Sequence, residues 1–331
     1  MKSRRDAVLE GTRAAAELHE RLESRPIIEK SGSAINVFGA IVNAKIPLVF
    51  QPLDGLLGAY LTKPSPGIIV TTKRPLSVQR FTAAHELGHA TMHHEPSLDD
   101  EATITRAEFP NAVYDARETA ANTFATDFLL PRWLMITQMT RHHWTLGSLT
   151  DPSVVYQLAL RAGASFEATT IALLRHRLVS ESIFSRLRQT TVKEIKQSLL
   201  EGVALENWYP DVWLLTEADE GTIIEGDARD VFVVRLKEQS AAGYLWDIDD
   251  LGRADFALLR DDRQISDSRE DIGGAVERIL AARAGEHRVG HVQFRHMRPW
   301  EESVLSRFSF TFDLRGKESG KPRAVRRPIA A

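Results

Sequence analysis

The sequence predicts an α+β protein: a helical region with a small sheet, then a helix-turn-helix-like pair, then an all-β antiparallel sandwich. Three observations carry this. Residues 81–93 and 115–130 are long stretches almost without Gly or Pro, as helices require. Residues 152–178 hold two helix-forming runs separated by a short turn containing Gly163. From about residue 207 apolar residues alternate with polar ones, as in Val231-Phe232-Val233-Val234-Arg235-Leu236, His291-Val292-Gln293-Phe294 and Phe308-Ser309-Phe310-Thr311-Phe312.

Residues 1–25 read as one amphipathic helix, with Val8, Ala14, Ala15, Leu18 and Leu22 close to helical spacing. Pro47-Leu48-Val49-Phe50 and Ile68-Ile69-Val70 are β-prone and are separated by the turn-rich Pro64-Ser65-Pro66-Gly67. Pro131 stops the helix over 115–130. Gly163 falls where a left-handed residue ends one helix, and Ser165 can cap the next. In the last region, turns are expected at Glu225-Gly226-Asp227, Ile272-Gly273-Gly274 and Ala284-Gly285-Glu286.

Composition excludes several classes of function. The 331 residues contain no cysteine, which removes a disulfide framework, a Cys-ligated zinc or iron–sulfur site and a thiol nucleophile. Any metal must therefore sit on His and carboxylate. Forty-two Lys+Arg against forty-five Asp+Glu leave a net charge of -3, so no global basic field draws in nucleic acid. Residues 141–200 hold a local excess of cations, including Arg175 and Arg177. The apolar runs are far shorter than the roughly 18 residues of a membrane span, and a soluble, cytoplasmic protein is expected.

The sharpest motif is His85-Glu86-Leu87-Gly88-His89. On a helix, His85 and His89 lie one turn apart on one face, so both imidazoles can hold one ion. Glu86 lies on the adjacent face, where it can take a proton from a water on the metal. A third His six residues past His89 would complete one familiar site, but Glu95 stands there. The alternative is a carboxylate from a second helix. Glu118 opens such a helix, with Asn122 four residues on along the same face, while Asp99, Asp100, Glu101 and Asp115 compete for the role. Two His and one carboxylate leave a fourth position for water, the catalytic arrangement. Zn²⁺ is expected, and such a donor set also accepts Mn²⁺.

The segment from Arg80 to His89, followed by Glu118-Thr119-Ala120-Ala121-Asn122-Thr123-Phe124-Ala125 and Leu129-Leu130-Pro131, resembles the ImmA/IrrE family of zinc-dependent endopeptidases. The resemblance runs from about 30 to 180 and includes Gly55-Leu56-Leu57-Gly58-Ala59-Tyr60. It implies a zincin-like peptidase fold, with His85, His89 and Glu118 as ligands and Glu86 as catalytic base. It also implies a protein substrate, a helix-turn-helix transcriptional repressor in a stress, mobile-element or toxin–antitoxin circuit. The oxyanion donor is not identified by the motif; His93, Tyr60 and Tyr114 are candidates. His94, His142 and His143 are expected at the surface.

Gly243-Tyr244, Gly273-Gly274 and Arg298-Pro299-Trp300, in that order, are similar to the three loops of chagasin-like cysteine-peptidase inhibitors, which implies an immunoglobulin-like sandwich. Ala241-Ala242 stand where such inhibitors carry a Thr pair, so the loops read as a partner-binding platform. Trp246 is expected in the core and Trp300 at the surface. The organisation expected is a peptidase domain over 1–140, a helix-turn-helix-like segment over 141–206, a sandwich over 207–316 and a disordered tail over 317–331. The alternative reading is a regulator that binds DNA or a protein partner and whose metal site is not catalytic. Against DNA, the second helix of the pair opens Phe166-Glu167-Ala168-Thr169, poor in side chains that read base edges.

Overall fold

The computed structural model describes residues 3–63, 65–94, 97–99, 115–265 and 276–320. Tyr114, Gly273 and Gly274 lie outside them. The protein is mixed α+β, helical first and β-rich last.

The chain opens with α1 (Arg4–Arg21), whose first turn is closed by a reciprocal capping box between Ser3 and Asp6. The single helix expected over residues 1–25 ends sooner: Glu23 takes a left-handed conformation (φ 47°), and α2 (Ser24–Ser31) sets off in a new direction. After α3 (Val37–Asn43) come β1 (Leu48–Gln51), β2 (Gly58–Leu61) and β3 (Gly67–Thr71). With β4 (Ser97–Asp99) they form a sheet in the order β1-β3-β2-β4. The next two helices are α4 (Leu76–Thr91) and α5 (Ala116–Leu129).

Both α4 and α5 are buried on nearly every side, which is why neither shows an apolar stripe in sequence. Small residues make this enclosure feasible. A Cβ at Gly88 would lie 2.9 Å from Cδ1 of Phe124 on α5, and one at Gly11 on α1 would lie 2.2 Å from the Ala120 carbonyl oxygen. Backbone thus approaches backbone at Gly11, while at Gly88 the Phe124 ring packs directly on the α4 backbone, and any side chain at these two positions would push the helices apart.

Four more helices follow α6 (Arg132–Arg141): α7 (Pro152–Ala162), α8 (Phe166–Arg175), α9 (Glu181–Gln189) and α10 (Val192–Leu200). Gly163 between α7 and α8 has φ 66°, and the Ser165 side chain accepts from Ala168 N, as the sequence predicts. Leu158, Ala172 and Leu173 from this pair share one apolar core with Phe124 and Phe128 of α5.

The last region holds two four-stranded sheets. One has the order β5 (Val212–Leu215), β7 (Val231–Glu238), β10 (Val276–Ala284), β9 (Phe256–Ile265). The other has the order β6 (Thr222–Glu225), β12 (Val304–Asp313), β11 (Val289–Met297), β8 (Leu245–Asp247), with a short α11 (Asp249–Arg253) after β8. Phe232, Phe256, Phe294, Phe308, Phe310 and Phe312 from both sheets fill one core, each contributing about 1.5–3 kcal/mol by burial. The expectation of purely antiparallel sheets is corrected: β5 pairs with β7 and β6 with β12 in parallel. Alternation reports which face a residue takes, not the direction of the neighbouring strand.

The two regions are joined by buried polar contacts. Gln157 of α7 donates to the Val212 carbonyl (2.8 Å) and accepts from Leu214 N (2.9 Å), while the Tyr156 hydroxyl accepts from Val212 N (3.0 Å). Two side chains of a helix thereby satisfy the outer edge of β5, which would otherwise present unpaired backbone. Arg161 pairs with Asp219 at 2.7 Å and Arg80 with Glu225. Gln79, wholly enclosed on α4, donates to the carbonyls of Thr71 (2.9 Å) and Glu318 (2.8 Å) and accepts from Glu318 N (2.7 Å). The disordered tail expected from Lys317 is corrected at its start, because Glu318 is buried here; residues 321–331 lie outside the described ones.

Candidate metal centre

Helical spacing brings His85 and His89 of α4 face to face, with Nε2 atoms 3.0 Å apart. Glu118, in the first turn of α5, completes the group: its carboxylate oxygens lie 3.3 Å from His85 Nε2 and 3.5 Å from His89 Nε2. Asp115 caps α5 instead, its side chain accepting from Arg117 N, and Asp100 and Glu101 lie outside the described residues. His85, His89 and Glu118 are the group of three His or carboxylate side chains that could hold a metal ion among the described residues.

The spacing fits an ion. With bonds of about 2.0–2.1 Å, neighbouring ligands on a tetrahedron stand about 3.3–3.4 Å apart, and the three separations bracket that value. The 3.3 and 3.5 Å distances run to different oxygens of Glu118, and a cation taking one atom from each residue would keep a fourth vertex for water. Burial works against a charged Glu118, but hydrogen bonding and charge from His85 and His89 outweigh it and hold the carboxyl below the usual carboxylate range. A carboxylate kept ionised beside two imidazoles is the donor set of a divalent cation.

The surroundings fix the ligand rings. His85 Nδ1 lies 2.8 Å from Asn122 Oδ1. An amide oxygen only accepts, so His85 donates from Nδ1 and turns its Nε2, beside Glu118, to the centre. His89 Nδ1 lies 3.0 Å from His94 Nδ1. Burial and the neighbouring His89 push the His94 imidazole down to about 4, which leaves it neutral at pH 7. Glu86, between the ligands in sequence, is fully buried and its carboxylate lies against β2: a Cβ at Gly58 would come within 2.9 Å of its Oε1. Glycine at 58 gives the carboxylate room.

Of the candidate donors, Tyr60 sits on β2 with its ring in the core. His93 is exposed, in a left-handed conformation (φ 55°) just beyond α4, so it turns to solvent. Surface positions are expected for His94 and His142, yet His94 meets His89, and His142 is buried and accepts from Arg161 Nε at 3.0 Å. The sequence carries one signal for His94: Pro96 disfavours helix at the residue before it, so α4 cannot run on.

At the loops of the last region, Trp246 is in the core, its indole N–H donating to the Lys237 carbonyl (2.9 Å). Trp300 is 72% exposed and lies over Gly243, whose Cβ position is 2.8 Å from its ring. Beside it the Arg298 guanidinium stacks on Tyr244 at 4.5 Å and bonds the Ala242 carbonyl and Glu301. Pro299 joins these two side chains in sequence.

Among known proteins, no curated sequence matches the chain. Solved structures similar to part of it include the following two. One is the cysteine protease inhibitor EhICP2 from Entamoeba histolytica (18% identity, 32% of this chain and 98% of that one, TM-score 0.30). The other is the solution structure of amebosin (17% identity, 31% and 97%, TM-score 0.26). No helix of the described residues is long and apolar enough to cross a membrane. The stretch that holds the buried His85, Glu86, His89 and Glu118, residues 44–174, matches the family model Peptidase_M78, the IrrE N-terminal-like domain.

Proposed function

We propose that the protein is a zinc-dependent endopeptidase that hydrolyses a peptide bond in a helix-turn-helix repressor, with Mn²⁺ as an alternative ion. The observation that carries this is the convergence of His85 Nε2, His89 Nε2 and the Glu118 carboxylate with tetrahedral spacing, supported by the peptidase family match over 44–174. A cation held there would lower the pKa of a water towards about 7 and polarise the scissile carbonyl. Glu86 takes the proton of the attacking water and returns it to the leaving amine. Asn122 and His94 hold the two ligand rings in place.

The repressor circuit rests on the family resemblance alone. The two sheets would form an immunoglobulin-like sandwich that presents Trp300, Arg298 and Tyr244 to a protein partner, since exposed Trp and Arg dominate binding hot spots. The excess of cations over residues 141–200 is the feature that favours DNA binding, and the helix pair offsets it. On α8 the exposed positions include Glu167, and Arg175 is held by Asp127 at 2.8 Å.

The test uses Glu86→Gln. It should keep its zinc yet cut a helix-turn-helix repressor encoded beside it at least ~100-fold more slowly, as loss of a general base implies. Cleavage followed by mass spectrometry decides, and undiminished cutting would remove the peptidase reading.

A further inference from the structure

We propose that His94 is a positioning residue for His89, accepting its Nδ1–H and so holding it in the tautomer whose Nε2 lone pair faces the metal centre. The inference rests on the metal-centre reading above. Two ring nitrogens 3.0 Å apart in a hydrogen bond cannot both donate or both accept. His89 Nε2 faces His85 Nε2 and Glu118 across the cluster, so a ligand role requires its proton on Nδ1. His94 Nδ1 must then be the acceptor, with its own proton on Nε2.

The backbone is arranged to deliver this contact. Helix α4 ends in a full Schellman motif. His94 N donates to the His89 carbonyl at 2.9 Å, His93 N donates to the Ala90 carbonyl at 3.3 Å, and His93 takes the left-handed position. In this motif the residue after the left-handed one commonly makes an apolar contact with the residue whose carbonyl it binds. Here that pair is His94 and His89, and the apolar contact is replaced by an imidazole–imidazole hydrogen bond with the rings at 65°. The end of the helix thus supplies His89 with what Asn122 supplies to His85. One acceptor comes from the neighbouring helix, the other from the turn that terminates the ligands' own helix.

The experiment measures zinc affinity of the whole protein by competition with a chromophoric chelator, for the wild type, His94→Ala and His94→Asn. The Asn side-chain oxygen occupies the place of His Nδ1 and can accept the same proton. Melting of each metal-free protein is followed in parallel. His94→Ala should bind zinc about 10–100-fold more weakly. His94→Asn should recover most of that loss, with no matching trend in the metal-free melting temperatures. The proposal is overturned if His94→Ala binds within twofold of the wild type, if Asn is no better than Ala, or if affinity merely tracks metal-free stability. A wild type that holds no zinc at all would instead sink the metal reading itself, and this one with it.

Discussion

His85 and Trp300 mark the two extremes of the molecule. The first is a polar ring with no exposed surface, fixed by a helix and by Asn122; the second is an apolar ring that is 72% exposed on a loop. The helical region hides His85, Glu86, His89 and Glu118 beside its apolar core, whereas the β-rich region hides its Phe residues and shows an aromatic. Buried polar groups are costly unless partnered, and here His85, His89 and Glu118 are tied to one another. Desolvated polar side chains on rigid helices mark a place for chemistry. An exposed aromatic braced by Gly243 and an Arg–Tyr stack marks a place for contact.

The contrast can be broken by substitution. Glu118→Ala should have the largest effect, with divalent-cation affinity falling by more than the ~100-fold that loss of a supporting residue can cause. Zinc content after dialysis reads it, and retention at the wild-type level would refute the assignment. Next comes Trp246→Ala, which removes a core indole and its hydrogen bond. It should lower unfolding free energy by about 3–5 kcal/mol in urea titrations.

A smaller effect sharpens the comparison through pH. Burial, helped by the charge of Arg161, pushes the His142 imidazole down to about 4. Unfolded, that ring takes a proton near pH 6.5, so the folded state is favoured fully above that pH and loses the advantage as pH falls towards 4. At pH 5 the loss is about 2 kcal/mol. Urea midpoints should fall from pH 7 to pH 5, and less steeply in His142→Gln. The smallest effect is expected for Trp300→Ala, within about 0.5 kcal/mol of wild type in stability. A large loss there would show that Trp300 is a structural residue.

Much of the site is legible in the sequence because helical geometry is periodic. The four-residue step from His85 to His89, and the same step from Glu118 to Asn122, place each pair on one helix face by spacing alone. The same rule misleads at the end of α4. Continuing the period from His89 selects His93, but the helix stops at Thr91, His93 turns left-handed, and the chain returns His94 to His89. The parallel pairings of β5 and β6 are hidden because strand alternation is local, while pairing is decided by distant partners. Gln79 and Gln157 look like surface residues in sequence, yet each bonds backbone from more than fifty residues away.

The grip of Gln79 on the Glu318 backbone bears on how the molecule can be dissected. An N-terminal fragment expressed by itself would keep every ligand residue yet expose a glutamine amide evolved for an enclosed site, six positions before His85. Losing its two Glu318 bonds removes about 0.5–1.5 kcal/mol of net stabilisation for each, from the helix that carries the two imidazoles. Weak metal uptake by such a fragment would therefore report a missing clasp at the foot of that helix rather than a defective set of donors.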